Sequence, residues 1–208
     1  MPSGILAAVS RWEPHARERL EQSALELFTE QGFAQTSVPQ ITARAGLTTR
    51  TFFRHFADKR EALFAHDSAF PELVARLIAE APHSLSPLQL ITHGLHAVAA
   101  LRFDGQRDTL RVRHQVIASD GGLTEREMRK YAALSTAIVD GLRHRGADEL
   151  SATVTAELAV TVLRISVTRW MNAADDQPLS ELITETLQAL MSVTCGVADG
   201  PVEGSDLR

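Results

Sequence analysis

The chain has 208 residues, 44% of them apolar, with 21 Lys and Arg against 26 Asp and Glu and a formal charge of −5 at pH 7, the composition of a soluble protein with one large or two smaller cores. No run of about 18 apolar residues is present to span a bilayer, Ile5 to Val9 is too short and lacks a basic leader for an export signal, and the lone Cys195 can form no internal disulfide, so a cytoplasmic protein is expected. No nucleophile with a paired base, glycine-rich phosphate loop or spaced metal-ligand set is found, which argues against an enzyme and implies no cofactor.

Charge is unevenly spread. Residues 1–60 hold eight Lys or Arg against six Asp or Glu, and the remaining 148 hold thirteen against twenty. From Gln31 to Ala57 there is no acid at all, only Arg44, Arg50, Arg54 and His55. Such a patch attracts DNA by releasing condensed counterions, while the acidic remainder keeps the rest of the molecule off the duplex.

Pro14 opens the first helical pattern, in which Leu20, Ala24, Leu27 and Phe28 recur until Gly32 stops it. Ser37 and Gln40 have the spacing of a capping box, so a second helix begins there and runs to Arg44 or Ala45, with Pro39 in its first turn. Gly46 suits a left-handed terminus, and Thr48 can cap a third helix from Thr49 to about His55. Phe52 and Phe56, four apart, point into a small core and leave Thr49, Arg50, Phe53 and Arg54 facing outward. Two short helices around a glycine turn are what a helix-turn-helix needs to set one helix in a major groove.

After Asp58 longer amphipathic segments follow, separated by Pro71, Pro82, Ser86-Pro87, Asp104-Gly105, Gly121-Gly122, Gly146 and Gln177-Pro178. No strand-like alternation persists, so the class is all-α: an N-terminal three-helix helix-turn-helix domain, then a helical bundle. The domains expected are 1–58 for DNA, 59–198, to which the family resemblance given below assigns effector binding and dimerisation, and a disordered tail at 199–208. Between Ala152 and Met171 one face carries Val154, Leu158, Val162 and Ile165 and the opposite face Val160, Leu163, Val167 and Trp170. A helix apolar on both sides must be covered on both. With the apolar segment Leu179 to Val193 it forms the natural half of a four-helix homodimer interface.

If this bundle holds a ligand, its pocket should show polar groups on otherwise apolar stripes. His66 and Asp67 share a face with Leu63 and Phe70, His114 with Leu110 and Ile117, and Tyr131 lies on a helix whose stripe continues through Leu134, Ile138 and Leu142. The ligand-binding candidates are therefore His66, Phe70, His114, Tyr131 and Trp170, with Met171 assigned to packing. For His66 and His114, a hydrogen-bonded core position satisfies the pattern as well as ligand contact does. His93 and His96 have i, i+3 spacing but read as solvent-facing, with no acid or Cys cluster to make a metal site.

From Arg19 to about Phe64 the chain resembles the TetR family of bacterial transcriptional repressors. The likeness rests on Ala24, Leu27-Phe28, Gly32-Phe33, Thr36-Ser37-Val38, Ile41, Ala45-Gly46-Leu47-Thr48, Thr51, Phe52-Phe53-Arg54-His55-Phe56, Lys59 and Leu63. It implies that Thr49, Arg50 and Thr51 meet bases and phosphates, that Phe53, Arg54 and His55 clamp the backbone, and that Lys59, Thr36 and Ser37 contact phosphates. Thr48, which opens the third helix, is counted with them. The chain departs from the family pattern at Phe53, where Tyr is usual, at Arg50, where a small residue is common and Arg is shaped for guanine O6 and N7, and at Pro39, which cannot donate to a base. The function implied is a ligand-responsive homodimeric regulator, most readily a repressor, on a pseudo-palindromic double-stranded operator, released by a small apolar or amphipathic effector. The alternative is an effector-independent DNA-binding or architectural protein.

Overall fold

The computed structural model describes residues 15–67 and 69–195, apart from the side chains of His66, Thr194 and Cys195. The expectations for Ile5 to Val9, for Pro14 and for the tail at 199–208 lie outside the described residues, as does the His66 side chain. Among the described residues every regular element is helical. The chain divides after Ala65 into two compact units, later than the boundary expected at residue 58.

The front unit contains α1 (Ala16–Gln31), α2 (Val38–Ala45), α3 (Thr49–His55) and α4 (Lys59–Leu63). Its core joins Leu20, Ala24, Leu27, Phe28, Ile41, Phe52 and Phe56, each no more than 5% exposed, with the Phe52 and Phe56 rings 5.4 Å apart. Gly46 takes φ 64° and ψ 33°, a left-handed turn that costs a glycine little. Asp58 caps α4 by accepting from the Glu61 N–H at 2.8 Å, and α4 packs on α1 with Ala62 and Leu63 buried. That burial is why α4 belongs with the front unit.

The rear unit contains α5 (Phe70–Glu80), α6 (Pro87–Val98), α7 (Arg107–Ala118), α8 (Gly121–His144), α9 (Glu149–Asn172) and α10 (Leu179–Cys195), and α6 runs on into a π-helical turn at Ala99–Phe103. Three expected breakers prove to be helix starts, Ser86-Pro87 among them, with Ser86 capping α6. Pro71 sits in the first turn of α5, where no backbone donor is needed. Gly121 and Gly122 open α8, whose cap Asp120 accepts from the N–H groups of Gly122 and Leu123 at 2.9 and 3.0 Å.

The long helices α8 and α9 form the centre, with α5, α6, α7 and α10 packed on them. A Cβ at Gly141 of α8 would come within 3.0 Å of Ile78, so the absence of a side chain there sets the close approach of α5. On the other side Ser166 of α9, fully buried, donates to the Leu182 carbonyl and the Thr186 hydroxyl of α10 at 3.3 and 3.0 Å. By length and composition α9 could cross a membrane, with a mean hydropathy of 1.5 over its most apolar window, 44% of which is buried in the rear unit; core helices of this kind pass the same test, and Ala152 and Ala156 are fully buried here. Its outer side carries a stripe at Leu150, Val154, Leu158, Thr161 and Ile165, in which Leu150, Val154 and Ile165 are exposed. Val162, expected on that stripe, turns inward and is buried.

Candidate DNA-binding face and rear cavity

The exposed side of the front unit is built on α3. Thr48 adopts an extended backbone and its hydroxyl accepts from the Thr51 N–H at 3.1 Å, with the Thr51 hydroxyl 3.0 Å away. This cap satisfies one of the donors a seven-residue helix leaves open at its start. Phe52 anchors the inner side, and Thr49, Arg50, Phe53 and Arg54 are exposed, Phe53 by 59%. Thr51 and His55 are half-buried at the margins, with His55 Nε2 3.4 Å from Arg54 Nη2. Ser37 is exposed at the start of α2, where its N–H and hydroxyl both donate to Gln40 Oε1 at 2.8 Å.

Two residues expected on phosphates are turned to other work. Thr36 is buried: its hydroxyl donates to the Gly32 carbonyl at 2.9 Å and accepts from Gln31 Nε2 at 3.2 Å, closing the end of α1. Only its backbone remains for a phosphate. Lys59 Nζ donates to the carbonyls of Phe33 and Thr36 at 2.7 Å each and lies 4.4 Å from the centre of the Phe33 ring, so its ammonium clamps the turn between α1 and α2. Arg44 is exposed but already paired at the surface, with Nη1 on Glu30 Oε1 at 2.6 Å and on Glu26 at 3.9 Å. That hydrogen bond holds the Glu30 carboxyl below its ordinary value. The outward positive charge of the acid-free stretch thus reduces to Arg50 and Arg54.

In the rear unit a cavity of about 230 Å³ collects three of the five ligand candidates, Phe70, His114 and Tyr131. Trp170 is not among its walls; buried, it packs edge-on to Phe103 at 6.3 Å with the Arg107 guanidinium over its face at 6.0 Å. Met171, assigned from sequence to packing, lines the cavity instead. Neighbours on a helix point about 100° apart, which is enough to exchange the two roles.

The sequence reading singled out Asp67 but missed the other charged residues of this cavity. Arg102, Arg113, Lys130 and Arg164 line it together with Asp67 and Glu127. Asp67 is approached by Arg102 Nη2 at 3.4 Å, Lys130 Nζ at 3.5 Å and Arg113 Nη2 at 4.0 Å, and Lys130 also reaches Glu127 at 3.6 Å. These groups come from the turn before α5, the π-helical turn, α7, α8 and α9, so no local spacing announces them. Burial, reinforced by the negative charges of Glu127 and Asp67, pushes the Tyr131 hydroxyl above its ordinary value, which keeps it protonated as a donor. Leu163, Val167, Leu110 and Ile117 supply apolar wall. Among the described residues there is no cluster of His, Cys, Asp or Glu suited to a metal ion.

Comparison with known proteins matches this architecture at both ends. The family model for bacterial regulatory proteins of the tetR family fits residues 22–66, and that for the MftR C-terminal domain fits residues 85–194. The transcriptional regulator TcmR of Streptomyces glaucescens is 38% identical over 90 residues, a match that spans 43% of the chain and only 40% of that protein. A Mycobacterium tuberculosis protein named as a mycofactocin biosynthesis transcriptional regulator, MftR, is 26% identical over 86% of the chain and 88% of its own length. A TetR-family regulator from Syntrophomonas wolfei shares the fold with a TM-score of 0.64 at 16% identity, covering 92% of this chain and 98% of that one. With a capped helix-turn-helix in front, an all-helical unit behind, and family models fitting both, the chain belongs to the TetR family of DNA-binding transcriptional regulators.

Proposed function

We propose that the protein is a homodimeric repressor that binds a pseudo-palindromic operator through α3 of each subunit and is released by a small amphipathic effector held in the rear cavity. The observation that carries this reading is the single outward face of α3, where Thr49, Arg50, Phe53 and Arg54 stand exposed while Phe52 holds the helix to the core. An exposed Arg on a helix of this kind suits the guanine edge in a major groove. The exposed Leu150, Val154 and Ile165 of α9 supply an apolar face for a second subunit, and two subunits set half-sites about 34 Å apart. In this reading Ser37, Thr48, Thr51 and His55 position the helix and meet the backbone, while Lys59 and Thr36 hold the turn that presents it.

Release is a shift of population. The effector must bind more tightly to subunits whose spacing no longer fits adjacent major grooves, since a ligand without preference moves nothing. A reading without an effector would leave the cavity beside Tyr131 and His114 without a purpose. Mobility-shift assays on DNA upstream of the protein's own gene test the proposal: saturable binding that outcompetes random duplex supports it. Equal affinity for random DNA at matched salt would replace it with an architectural role, and no binding by folded dimer would discard it.

A further inference from the structure

We infer that the rear cavity takes a hydrophobic carboxylate, its anionic head among Arg102, Arg113, Lys130 and Arg164 and its apolar body directed past Leu163. The inference deepens the effector reading above and rests on it. Arg102, Arg113, Lys130 and Arg164 line the cavity against Asp67 and Glu127, so its lining carries net positive charge. Such a field favours an entering carboxylate and repels an amine. The Arg164 guanidinium, which forms no ion pair with Asp67 or Glu127, stands at this wall on α9, one residue from Leu163. Guanidinium groups match carboxylates by two parallel hydrogen bonds, and the protonated Tyr131 hydroxyl adds a donor.

The direction of the apolar body follows from a second cavity. It measures about 50 Å³, is apolar but for Thr155, and continues along the same helices, with Leu134, Ile138 and Leu142 of α8 on one wall and Ala159 and Val160 of α9 on the other. Leu163 lines both cavities. The charged end therefore lies towards residues 127–131 of α8 and the apolar end towards residues 134–142, which is a polarity suited to a head and a tail.

Titration calorimetry of the full chain with decanoate, decanol and decylamine at low salt tests this. Decanoate should bind about tenfold or more tightly than either isostere, the ratio expected of one charge-assisted hydrogen bond. R164Q, at a solvent-exposed position that leaves folding intact, should remove most of that preference while leaving decanol affinity unchanged, and R164K should retain part of it. Equal or tighter binding of decanol, an unchanged preference in R164Q, or no binding by any of the three would overturn the inference. Operator binding is scored separately. Failure to bind DNA would sink the regulator reading while calorimetry still decides the ligand class; release of operator by a neutral compound, with decanoate inert, would sink only this inference.

Discussion

Arg50 leaves its guanidinium exposed and unpaired among the described residues, whereas Lys59 gives its ammonium to the carbonyls of Phe33 and Thr36. Equal charges therefore predict unequal losses. Arg50→Ala should cost about 1 to 3 kcal/mol of operator affinity, concentrated at one base pair and relaxing selectivity there; binding to operators varied one base pair at a time, alongside urea unfolding, would show specificity lost with stability intact. A uniform loss across every base would mean that Arg50 meets only phosphate. Lys59→Met should instead lower unfolding stability by about 1 to 3 kcal/mol, because carbonyls at the end of α1 lose a charged donor. If Lys59→Met melts as the wild type does and merely binds DNA more weakly, the ammonium is a phosphate contact after all. Family register sets Arg50 on the third helix and Lys59 at the start of the fourth, where α3 and α4 carry them. It could not tell that Lys59 and Thr36 face inward, because the carbonyls they serve belong to a turn more than twenty residues away for Lys59 and to the preceding helix end for Thr36.

At the scale of elements, boundaries were legible wherever a cap announces itself. Ser37 with Gln40, Thr48 and Gly46 all stand at the ends their chemistry requires. Pro71, Ser86-Pro87 and Gly121-Gly122, read as breakers between helices, stand instead at helix starts, because residues that break a helix interior are tolerated in a first turn. The cavity was half legible: Phe70, His114 and Tyr131 interrupt apolar stripes or sit on them, but its four cations lie on separate elements and meet only in the fold. Caps also carry a pH dependence. Asp148 opens α9, and hydrogen bonds from Ser151 hold its carboxyl below the ordinary 3.8; Arg44 and Arg169 likewise hold Glu30 and Glu185 below 4.5. A depressed folded-state value means the stabilisation is present above the unfolded value and lost as pH falls through the folded one. The melting temperature should therefore hold down to about pH 5 and drop as acid passes below the ordinary carboxylate range. Asp148→Asn should flatten part of that drop, and a profile identical to the wild type would show that the cap is not a source of it.

For the whole molecule the decisive question is what covers α9. Its inner side is core, yet Leu150, Val154 and Ile165 remain exposed on the outer stripe, Ile165 by 42%. Exposed apolar side chains in a row on a long helix mark an interface, and a symmetric pair of such helices buries the same stripe against itself. Ile165→Glu places a charge on that stripe without touching the protomer core, so if the chain pairs as proposed each subunit should keep its helical content while the dimer dissociates. Light scattering should report the mass of one chain. The wild-type melting temperature should rise with protein concentration, as it does when association is linked to folding, and the variant's should not. Affinity for the full palindrome should then collapse towards that for a half-site, because nothing holds two copies of α3 at the distance of one helical turn of DNA, about 34 Å. A variant that stays dimeric would move the interface off this stripe and on to another surface of the rear unit. A variant that becomes monomeric yet still binds the palindrome at full strength would break the link between subunit pairing and operator reading that a symmetric repressor requires.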